Sequence, residues 1–312
     1  MSTYILRKGT ARLADLVDGQ SAYGYPGDYP GLVLYVNNIT GAAGNDGKSW
    51  ARPLAQVSQA ITKVEAFRAG LTATNAYVRS IIYVQGTGTA YTALAALPNY
   101  CDIIGVGAPA NGNGTGIAII GANGADGIAG TARGLHLENL QFVSGGAFWC
   151  ADFAALFRST ILNCCFQSKD SATDGGIRIV GASGGVNIIG CHWTGSGNVI
   201  HKVGIQIQGG NFDSSRIEDC IIIGTTAGVL IDNTVSTGQN GTAADNTIFR
   251  NNVIGDLGRG CVTAIDDNSP AGMINYIGNS VMGTNLITCA NNGAARVHGN
   301  FSANAYVAVT AS

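Results

Sequence analysis

The chain is short of charged residues. Lys, Arg, Asp and Glu make up 12% of its 312 residues, about half the usual share for a soluble domain. The net charge is −2 and no basic stripe is present, which argues against binding of nucleic acid. No apolar run approaches the ~20 residues that a membrane-spanning helix requires, so the positive mean hydropathy does not indicate a membrane protein. A weakly charged surface is typical of proteins that assemble with others.

Signals for secretion and for metal binding are also missing. Residues 1–9 have no apolar core and no small-residue cleavage site, so no signal peptide is predicted. The eight cysteines are therefore expected to be reduced thiols that pack in the interior instead of forming disulfides. The four histidines, at positions 136, 192, 201 and 298, lack the spacing of metal ligands, so neither a metal site nor a cofactor is predicted.

One short motif recurs seven times between residues 137 and 301. It consists of a branched apolar residue, two variable residues, a residue that is usually Cys or Asn, one further residue and a large apolar residue. Neighbouring copies are 21 to 32 residues apart, and a period of about 20–50 residues indicates a solenoid or a similar repeat array. The fourth positions of the motif are Leu140, Cys164, Cys191, Cys220, Asn252, Asn279 and Asn300.

The repeats have the composition of strands. Each copy alternates apolar and other residues, is rich in β-branched residues and is followed by Gly, Asn, Ser or Thr. Short apolar segments between the copies, such as 177–179 and 205–207, form a second strand family. Two or three strands per period predict an all-β fold, a right-handed parallel β-helix of about nine coils over residues 80–309. The fourth positions would then form an inward ladder, with like residues stacked on adjacent coils.

The remaining segments are predicted to close the rod and to dock it. Residues 53–69 have apolar residues at helical spacing after an initial Pro, which predicts an amphipathic helix that caps the first coil. Residues 34–312 would form one β-helix domain. Residues 1–33 would be an arm that docks on a partner or a neighbouring subunit, a flexible leader being the alternative. The candidate contact residues of the arm are Tyr23, Tyr25, Pro26, Tyr29 and Pro30.

The segment that precedes the first coil carries a family resemblance. Residues 34–54 read Leu-Tyr-Val-Asn-Asn-Ile-Thr-Gly-Ala-Ala-Gly-Asn-Asp-Gly-Lys-Ser-Trp-Ala-Arg-Pro-Leu. They resemble the opening segment of pectate-lyase-like right-handed parallel β-helix proteins, and the resemblance extends over about residues 34–305. It implies the fold, and it implies either a bacteriophage virion protein or a polysaccharide-degrading enzyme. The chain lacks the Asn-Thr-Asp, Gly-His-Gly and Arg-Ile-Lys motifs of the polygalacturonase relatives, so their catalytic residues are not carried over.

Polysaccharide hydrolysis would need two carboxylates about 5–9 Å apart. Only three Glu are present, so the candidates are mainly Asp: the adjacent pair Asp266 and Asp267, and the cluster of Glu218 and Asp219. A third acidic group lies at positions 170 and 174. Adjacent strand residues point to opposite faces, so Asp266 and Asp267 would face together only in a turn. Turn-forming residues follow at 268–270, which favours a solvated corner over an active site.

These observations favour a non-enzymatic structural protein of a bacteriophage virion. The expected role is a capsid decoration or head-fibre-like projection, assembled in the host cytoplasm, with capsid or tail proteins as partners. A homotrimer is expected from the family resemblance. Two alternatives remain: a tailspike-like receptor-binding protein that binds or cleaves host polysaccharide, and a polysaccharide lyase or hydrolase. The first alternative requires aromatic platforms or paired acids along one face, for which Trp149, Trp193 and Tyr276 are the candidate rings, two of them at inward positions.

Overall fold

The chain folds into a rod of stacked, mostly parallel short strands. The computed structural model describes residues 31–71, 78–111, 116–121, 124–168, 175–195, 200–209, 211–232, 247–256, 258, 260–269, 274–289, 297–302 and 307–308. Within these residues the strands form three sheets, which the chain visits in the order A, B and C on successive coils from Cys101 onwards. Every strand pair there is parallel except the last, Phe301–Ser302 with Val307–Ala308. The predicted all-β parallel β-helix is therefore confirmed.

The three sheets run along the length of the rod. Sheet A contains Val33–Val36, Ser80–Gln85, Cys101–Val106, His136–Glu138, Thr160–Leu162, Asn187–Ile189, Arg216–Glu218, Thr247–Arg250, Ile274–Ile277 and Val297–His298. Sheet B contains Ile119–Gly121, Gln141–Ser144, Cys165–Ser168, His192–Gly195, Ile221–Ile222, Val253–Ile254, Ser280–Val281, Phe301–Ser302 and Val307–Ala308. Sheet C contains Ile128–Arg133, Trp149–Phe157, Gly175–Ile179, Ser183–Gly184, Val203–Ile207, Phe212–Asp213, Ala227–Ile231, Thr263–Asp267 and Asn285–Cys289.

Like residues stack on like residues in the interior. In sheet B the rings of Phe142, Phe166 and Trp193 lie above one another, with centroids 5.6 and 4.9 Å apart. Each of these side chains is fully buried, and burying a large apolar side chain contributes about 1.5–3 kcal/mol. The inward column of sheet A is equally apolar and consists of Ile103, Leu137, Ile161, Ile188, Ile217, Phe249, Tyr276 and Val297.

Each copy of the recurring motif spans the end of one strand and the start of the next. In the first copy, His136–Glu138 belongs to sheet A and Gln141–Ser144 belongs to sheet B, because the chain turns at Asn139. The third position of every copy has a left-handed φ between +51° and +64°, which Gly, Asn and Asp tolerate best. The third position is therefore restricted to a few residue types, and we call it the A–B corner because the chain turns there from sheet A to sheet B. It holds Asn139, Asn163, Gly190, Asp219, Asn251, Gly278 and Gly299.

The capping helix is shorter than predicted and spans Val57–Ala69. Its predicted start at Pro53 is wrong because Leu54 is held extended beside the first strand. The Leu54 N–H donates to Tyr35 O over 2.9 Å, and Asn37 N–H donates to Leu54 O over 2.8 Å. The helix begins once the Gln59 side chain accepts the Gln56 N–H over 3.1 Å. The apolar face of the helix is buried in the same core as the first strands of the rod.

Candidate functional site

The predicted acidic residues Asp266 and Asp267 do not face one another. Both residues lie in the strand Thr263–Asp267, so their side chains point to opposite faces, and the prediction of a solvated corner is wrong. Asp267 is 1% exposed and accepts hydrogen bonds from Ser269 Oγ over 2.6 Å and from the Tyr276 hydroxyl over 3.1 Å. These bonds satisfy the carboxylate inside the rod. Asp266 is half-buried on the outer face of sheet C.

The second predicted cluster is also not a pair of facing acids. Glu218 is buried and forms an ion pair of 3.0 Å with Arg250 on the next coil. Asp219 is exposed and occupies the A–B corner with φ +56°. The acidic residues at 170 and 174 and the candidate arm residues Tyr23, Tyr25, Pro26, Tyr29 and Pro30 lie outside the described residues.

All seven predicted ladder residues lie inside the rod, each at most 2% exposed. Asn279 is representative: its Oδ1 accepts the Asn252 N–H over 3.0 Å and its Nδ2 donates to Phe249 O over 3.0 Å. Burial raises the pKa of the Cys164 thiol to about 12 and also raises the pKa of the Cys191 thiol, so both of these ladder thiols are neutral. The ladder supplies internal hydrogen bonding and packing, and its side chains offer no surface to a ligand.

The outer face of sheet C carries a group of aromatic and charged side chains. Asp152 and Arg178 are register partners on the adjacent strands Trp149–Phe157 and Gly175–Ile179. Arg178 Nε donates to Asp152 Oδ1 over 2.9 Å, and Arg178 Nη2 donates to Oδ2 over 2.6 Å. The same guanidinium lies over the Trp149 ring, 5.2 Å from its centroid. A bidentate pair and a cation–π contact fix all three side chains relative to one another.

Two neighbours complete this group, which we call the sheet C cluster. Asp126 Oδ1 accepts the Trp149 backbone N–H over 2.7 Å, which places a second carboxylate beside the start of this strand. Phe148 precedes Trp149 in the chain and leaves 38% of its surface exposed. The Trp149 ring occupies the space that a β-carbon of residue 175 would need, so Gly175 is required beneath it. The sheet C cluster consists of Asp126, Phe148, Trp149, Asp152 and Arg178.

The electrostatics of the sheet C cluster follow from its geometry. The hydrogen bonds from Arg178 to Asp152 raise the pKa of the guanidinium, which stays charged at every accessible pH. Two carboxylates and one guanidinium leave a net charge of −1. Asp266 lies in the same outward column as Arg178, three strands further along. At about 4.8 Å per strand the separation is roughly 14 Å, too far for Asp266 to join the cluster.

The sequence held a partial signal for this site. Asp152 and Arg178 are 26 residues apart, one coil of the array, and Arg178 lies in the predicted segment 177–179. An acid and a base at equivalent strand positions of neighbouring coils would have indicated the ion pair. Trp149 was a candidate ring, whereas Trp193 and Tyr276 are buried. Asp126 had no signal, because a turn brings it to Trp149.

A polar cavity of about 400 Å³ lies at the A–B corner. Glu138 and His192 line it, and the Glu138 carboxylate is held 2.8 Å from His136 Nε2. Burial lowers the pKa of His192, so this imidazole is neutral at pH 7. In the part of the chain that the structure describes, no three His, Cys, Asp or Glu side chains are arranged to hold a metal ion. No helix among the same residues is long and apolar enough to cross a membrane.

Comparisons with known proteins concern the fold. No family model matches the chain, and no curated protein matches it. Among solved structures, the chain is similar to pectate lyase Pel9A at 12% identity, covering 81% of this chain and 71% of that one with a TM-score of 0.46. It is also similar to the GH136 lacto-N-biosidase from Eubacterium ramulus at 12% identity, covering 90% and 67% with a TM-score of 0.38.

Proposed function

We propose that this protein binds a polysaccharide on the outer face of sheet C through the sheet C cluster. The observation that carries the proposal is the fixed arrangement of Trp149, Arg178 and Asp152 on an outward strand face. Two contacts hold Arg178, the bidentate ion pair and the ring. A site whose side chains are locked before the ligand arrives loses little conformational entropy on binding.

The chemistry of the cluster matches that of a sugar. A sugar ring presents C–H groups on its faces and hydroxyl groups around its rim. Trp149 and the exposed Phe148 supply apolar surface for the C–H groups. Carboxylate oxygens of Asp126 and Asp152 accept hydrogen bonds from hydroxyls, and Arg178 donates to ring and hydroxyl oxygens. Apolar surface with a few placed polar groups is the usual composition of a small-ligand site.

The same geometry favours binding over hydrolysis. Hydrolysis requires one carboxyl group that delivers a proton to the glycosidic oxygen while the second acts as base or nucleophile. Both Asp152 oxygens accept hydrogen bonds from Arg178. Asp126 accepts a backbone N–H through one of its oxygens. The cluster therefore holds its carboxylates as fixed acceptors, which suits recognition of hydroxyl groups.

This proposal corresponds to the receptor-binding alternative of the sequence analysis, in its binding form. The aromatic surface and acids on one face are the features that this alternative requires. The capsid-decoration role, the virion partners, the homotrimer and the virion location stay predictions, because the sheet C cluster bears on none of them. A bacteriophage context would make the polysaccharide a component of the host surface.

Glycan binding by variants of Trp149 and Trp50 tests the proposal. Purified protein is screened against immobilised bacterial polysaccharides, and the affinity for the best ligand is measured by isothermal titration calorimetry. Trp149→Ala is expected to weaken binding at least about tenfold, as loss of a central aromatic contact does. Trp50→Ala is the matched control, because Trp50 is 42% exposed and lies on the opening segment, away from the cluster.

Two results would contradict the proposal. Equal affinity of Trp149→Ala and wild type would remove the sheet C cluster from the binding site. Release of reducing sugar from a bound polysaccharide, abolished in Asp152→Asn, would replace binding by cleavage as the function.

A further inference from the structure

A second groove lies where the chain passes from sheet C to sheet A, which we call the C–A corner. Its volume is about 700 Å³. The strand Trp149–Phe157 carries the sheet C cluster at its first residues and reaches the groove at its last. The groove crosses five successive coils, so at about 4.8 Å per coil it is roughly 19 Å long. It is lined by Tyr100, Arg133, Phe157, Arg158, Gly184, Gly185, Asp213 and Ser214.

The backbone of this groove has a positive φ at three residues that are not glycine. Five coils turn the C–A corner with a left-handed residue, and Gly134 and Gly185 hold this conformation with φ +64° each. The other three coils hold it with Tyr100 at φ +50°, Arg158 at +48° and Ser214 at +50°. Residues other than Gly, Asn and Asp rarely adopt such angles, and such outliers collect at functional sites. The three strained residues are all groove-lining residues, which indicates that their side chains have a use there.

The charged side chains of the groove are not engaged with one another. Arg133 lies with its guanidinium 5.2 Å from the centroid of the Phe157 ring. Arg133 and Arg158 are both exposed, and within the described residues neither forms an ion pair, nor does Asp213. Surface arginines that have no carboxylate partner, one of them already stacked on a ring, are suited to an anionic group on a ligand.

We propose that the C–A corner groove binds an oligosaccharide that carries anionic groups. Arg133 and Arg158 bind carboxylate or sulfate groups, Phe157 and Tyr100 contact sugar rings, and Asp213 and Ser214 bind hydroxyls. The Asp213 carboxylate beside the arginines would repel the closely spaced phosphates of a nucleic acid. It suits a ligand that carries hydroxyl groups as well as anionic groups. The inference rests on the proposed function and deepens it, since it makes the polysaccharide an acidic one that extends from the sheet C cluster into the groove.

The test compares matched ligands and matched variants by titration calorimetry. The ligands are uronic-acid oligosaccharides, their carboxyl-reduced neutral counterparts of equal length, sulfated oligosaccharides and a single-stranded oligonucleotide. The main variant is Arg158→Gly, which removes the guanidinium while giving this left-handed position its least strained residue. Its control is Asn163→Gly, which makes the same kind of change at φ +51° on the A–B corner.

Wild-type protein is expected to bind an acidic oligosaccharide more tightly than its neutral counterpart. Arg158→Gly is expected to weaken acidic binding about tenfold, the loss of one charge-assisted contact, and to leave neutral binding unchanged. Asn163→Gly is expected to change neither affinity. Whether carboxylate or sulfate ligands lose more affinity identifies the anionic group.

Failure of this inference is distinguishable from failure of the proposed function. Equal wild-type affinity for acidic and neutral ligands, or no effect of Arg158→Gly, would overturn the groove assignment and leave the sheet C cluster standing. Loss of acidic binding in Arg158→Gly with full binding in Trp149→Ala would support the groove and overturn the sheet C cluster. Oligonucleotide binding that equals acidic-sugar binding and is lost in Arg158→Gly would overturn the sugar assignment. No binding of any glycan would overturn both proposals.

Discussion

The A–B corner and the C–A corner each bend the backbone through one left-handed residue per coil, yet different residue types occupy that position. The A–B corner holds only Gly, Asn or Asp over seven coils. The C–A corner holds Tyr100, Gly134, Arg158, Gly185 and Ser214. Gly, Asn and Asp are the residues that sterics favour at positive φ, so the A–B corner follows the backbone requirement and the C–A corner departs from it.

The side chains at the A–B corner serve the fold. Asn139 Nδ2 donates to Gly105 O over 3.0 Å, and Asn139 Oδ1 accepts the Ala110 N–H over 2.9 Å, which joins two coils. Asn163 Oδ1 lies over Gly190 of the next coil. At the C–A corner the side chains instead line the groove. The comparison teaches that, in a repeat fold, a residue that disfavours positive φ at a corner where positive φ is required is a signal of a candidate binding surface.

The residues that follow each corner should differ most in their effect on stability. Asn279 follows Gly278 at the A–B corner, and its side chain makes four hydrogen bonds, to Asn252, Asn300 and Phe249. Asn279→Leu is expected to lower the free energy of unfolding by about 4 kcal/mol, because several buried polar groups lose their partners. Urea denaturation followed by circular dichroism measures this change.

The matched variant on the other side is Ser215→Ala. Ser215 follows Ser214 at the C–A corner, and its Oγ accepts the Val186 N–H over 3.1 Å and donates to Asp213 O over 3.0 Å. Loss of these two bonds is expected to lower stability by about 1–2 kcal/mol. Equal effects of the two variants would contradict the view that the A–B side carries the main polar support of the rod.

The largest effect of acid on stability is expected from His201, a buried residue in the interior of the rod. Burial lowers the pKa of His201 to about 4 in the folded state, whereas an unfolded chain takes up this proton near pH 6.5. The unfolded state binds more protons between these values, so stability falls as the pH decreases from about 6.5 to 4. The expected loss is about 3 kcal/mol.

Denaturation at pH 7 and pH 4.5 tests the role of His201. His201→Gln should flatten the pH dependence in this range, because Gln does not titrate. His298→Gln, a change at an exposed position, is the control and should preserve the dependence. A pH dependence that survives in His201→Gln would assign the acid sensitivity to other groups.

The fold could be predicted from the sequence because a coil repeats its requirements. Stacking imposes the same packing requirement on the fourth position of each motif. Cys or Asn, as at Cys164 and Asn252, therefore recurs there at a recognisable period. The third position made an equally strict demand through its φ, but three residue types satisfy it and the pattern was not recognised. The helix start shifted from 53 to 57 because pairing of Leu54 with the first strand outweighed the local preference after Pro53.

The candidate sites were much less predictable. Asp152 and Arg178 meet only because their coils are in register, and loops of differing length conceal that register in the sequence. Asp126 reaches Trp149 through a turn, with no periodic signal. Arg158 and Tyr100 have no unusual sequence context, and only their φ angles distinguish them. Periodicity therefore predicts the residues that the stacked coils require. The proposed binding surfaces, the sheet C cluster and the C–A corner groove, consist of residues that do not follow the period.

Two glycines with nearly the same φ compare the space available at each corner. A β-carbon on Gly190, φ +62°, would lie 2.6 Å from Asn163 Oδ1, whereas one on Gly185, φ +64°, meets nothing closer than 3.6 Å. Gly185→Ala should cost about 1 kcal/mol, the strain of a left-handed residue alone. Gly190→Ala should cost about 2 kcal/mol, because Asn163 must also move. Denaturant midpoints measure both, and equal values would show that the A–B corner is no more tightly packed.

The smallest expected effect on stability separates binding from folding most sharply. Arg158→Gly relieves a left-handed φ of +48°, a gain of about 1–2 kcal/mol that the higher entropy of unfolded glycine, about 0.5–1 kcal/mol, partly offsets. Stability should therefore stay constant or rise by up to about 1 kcal/mol, a shift of the melting temperature of roughly 2 °C. Asn163→Gly should gain less, because Asn already tolerates this conformation. If Arg158→Gly instead unfolded at a lower temperature than Asn163→Gly, the arginine would serve the fold, and its strained backbone would no longer argue for a ligand in the groove.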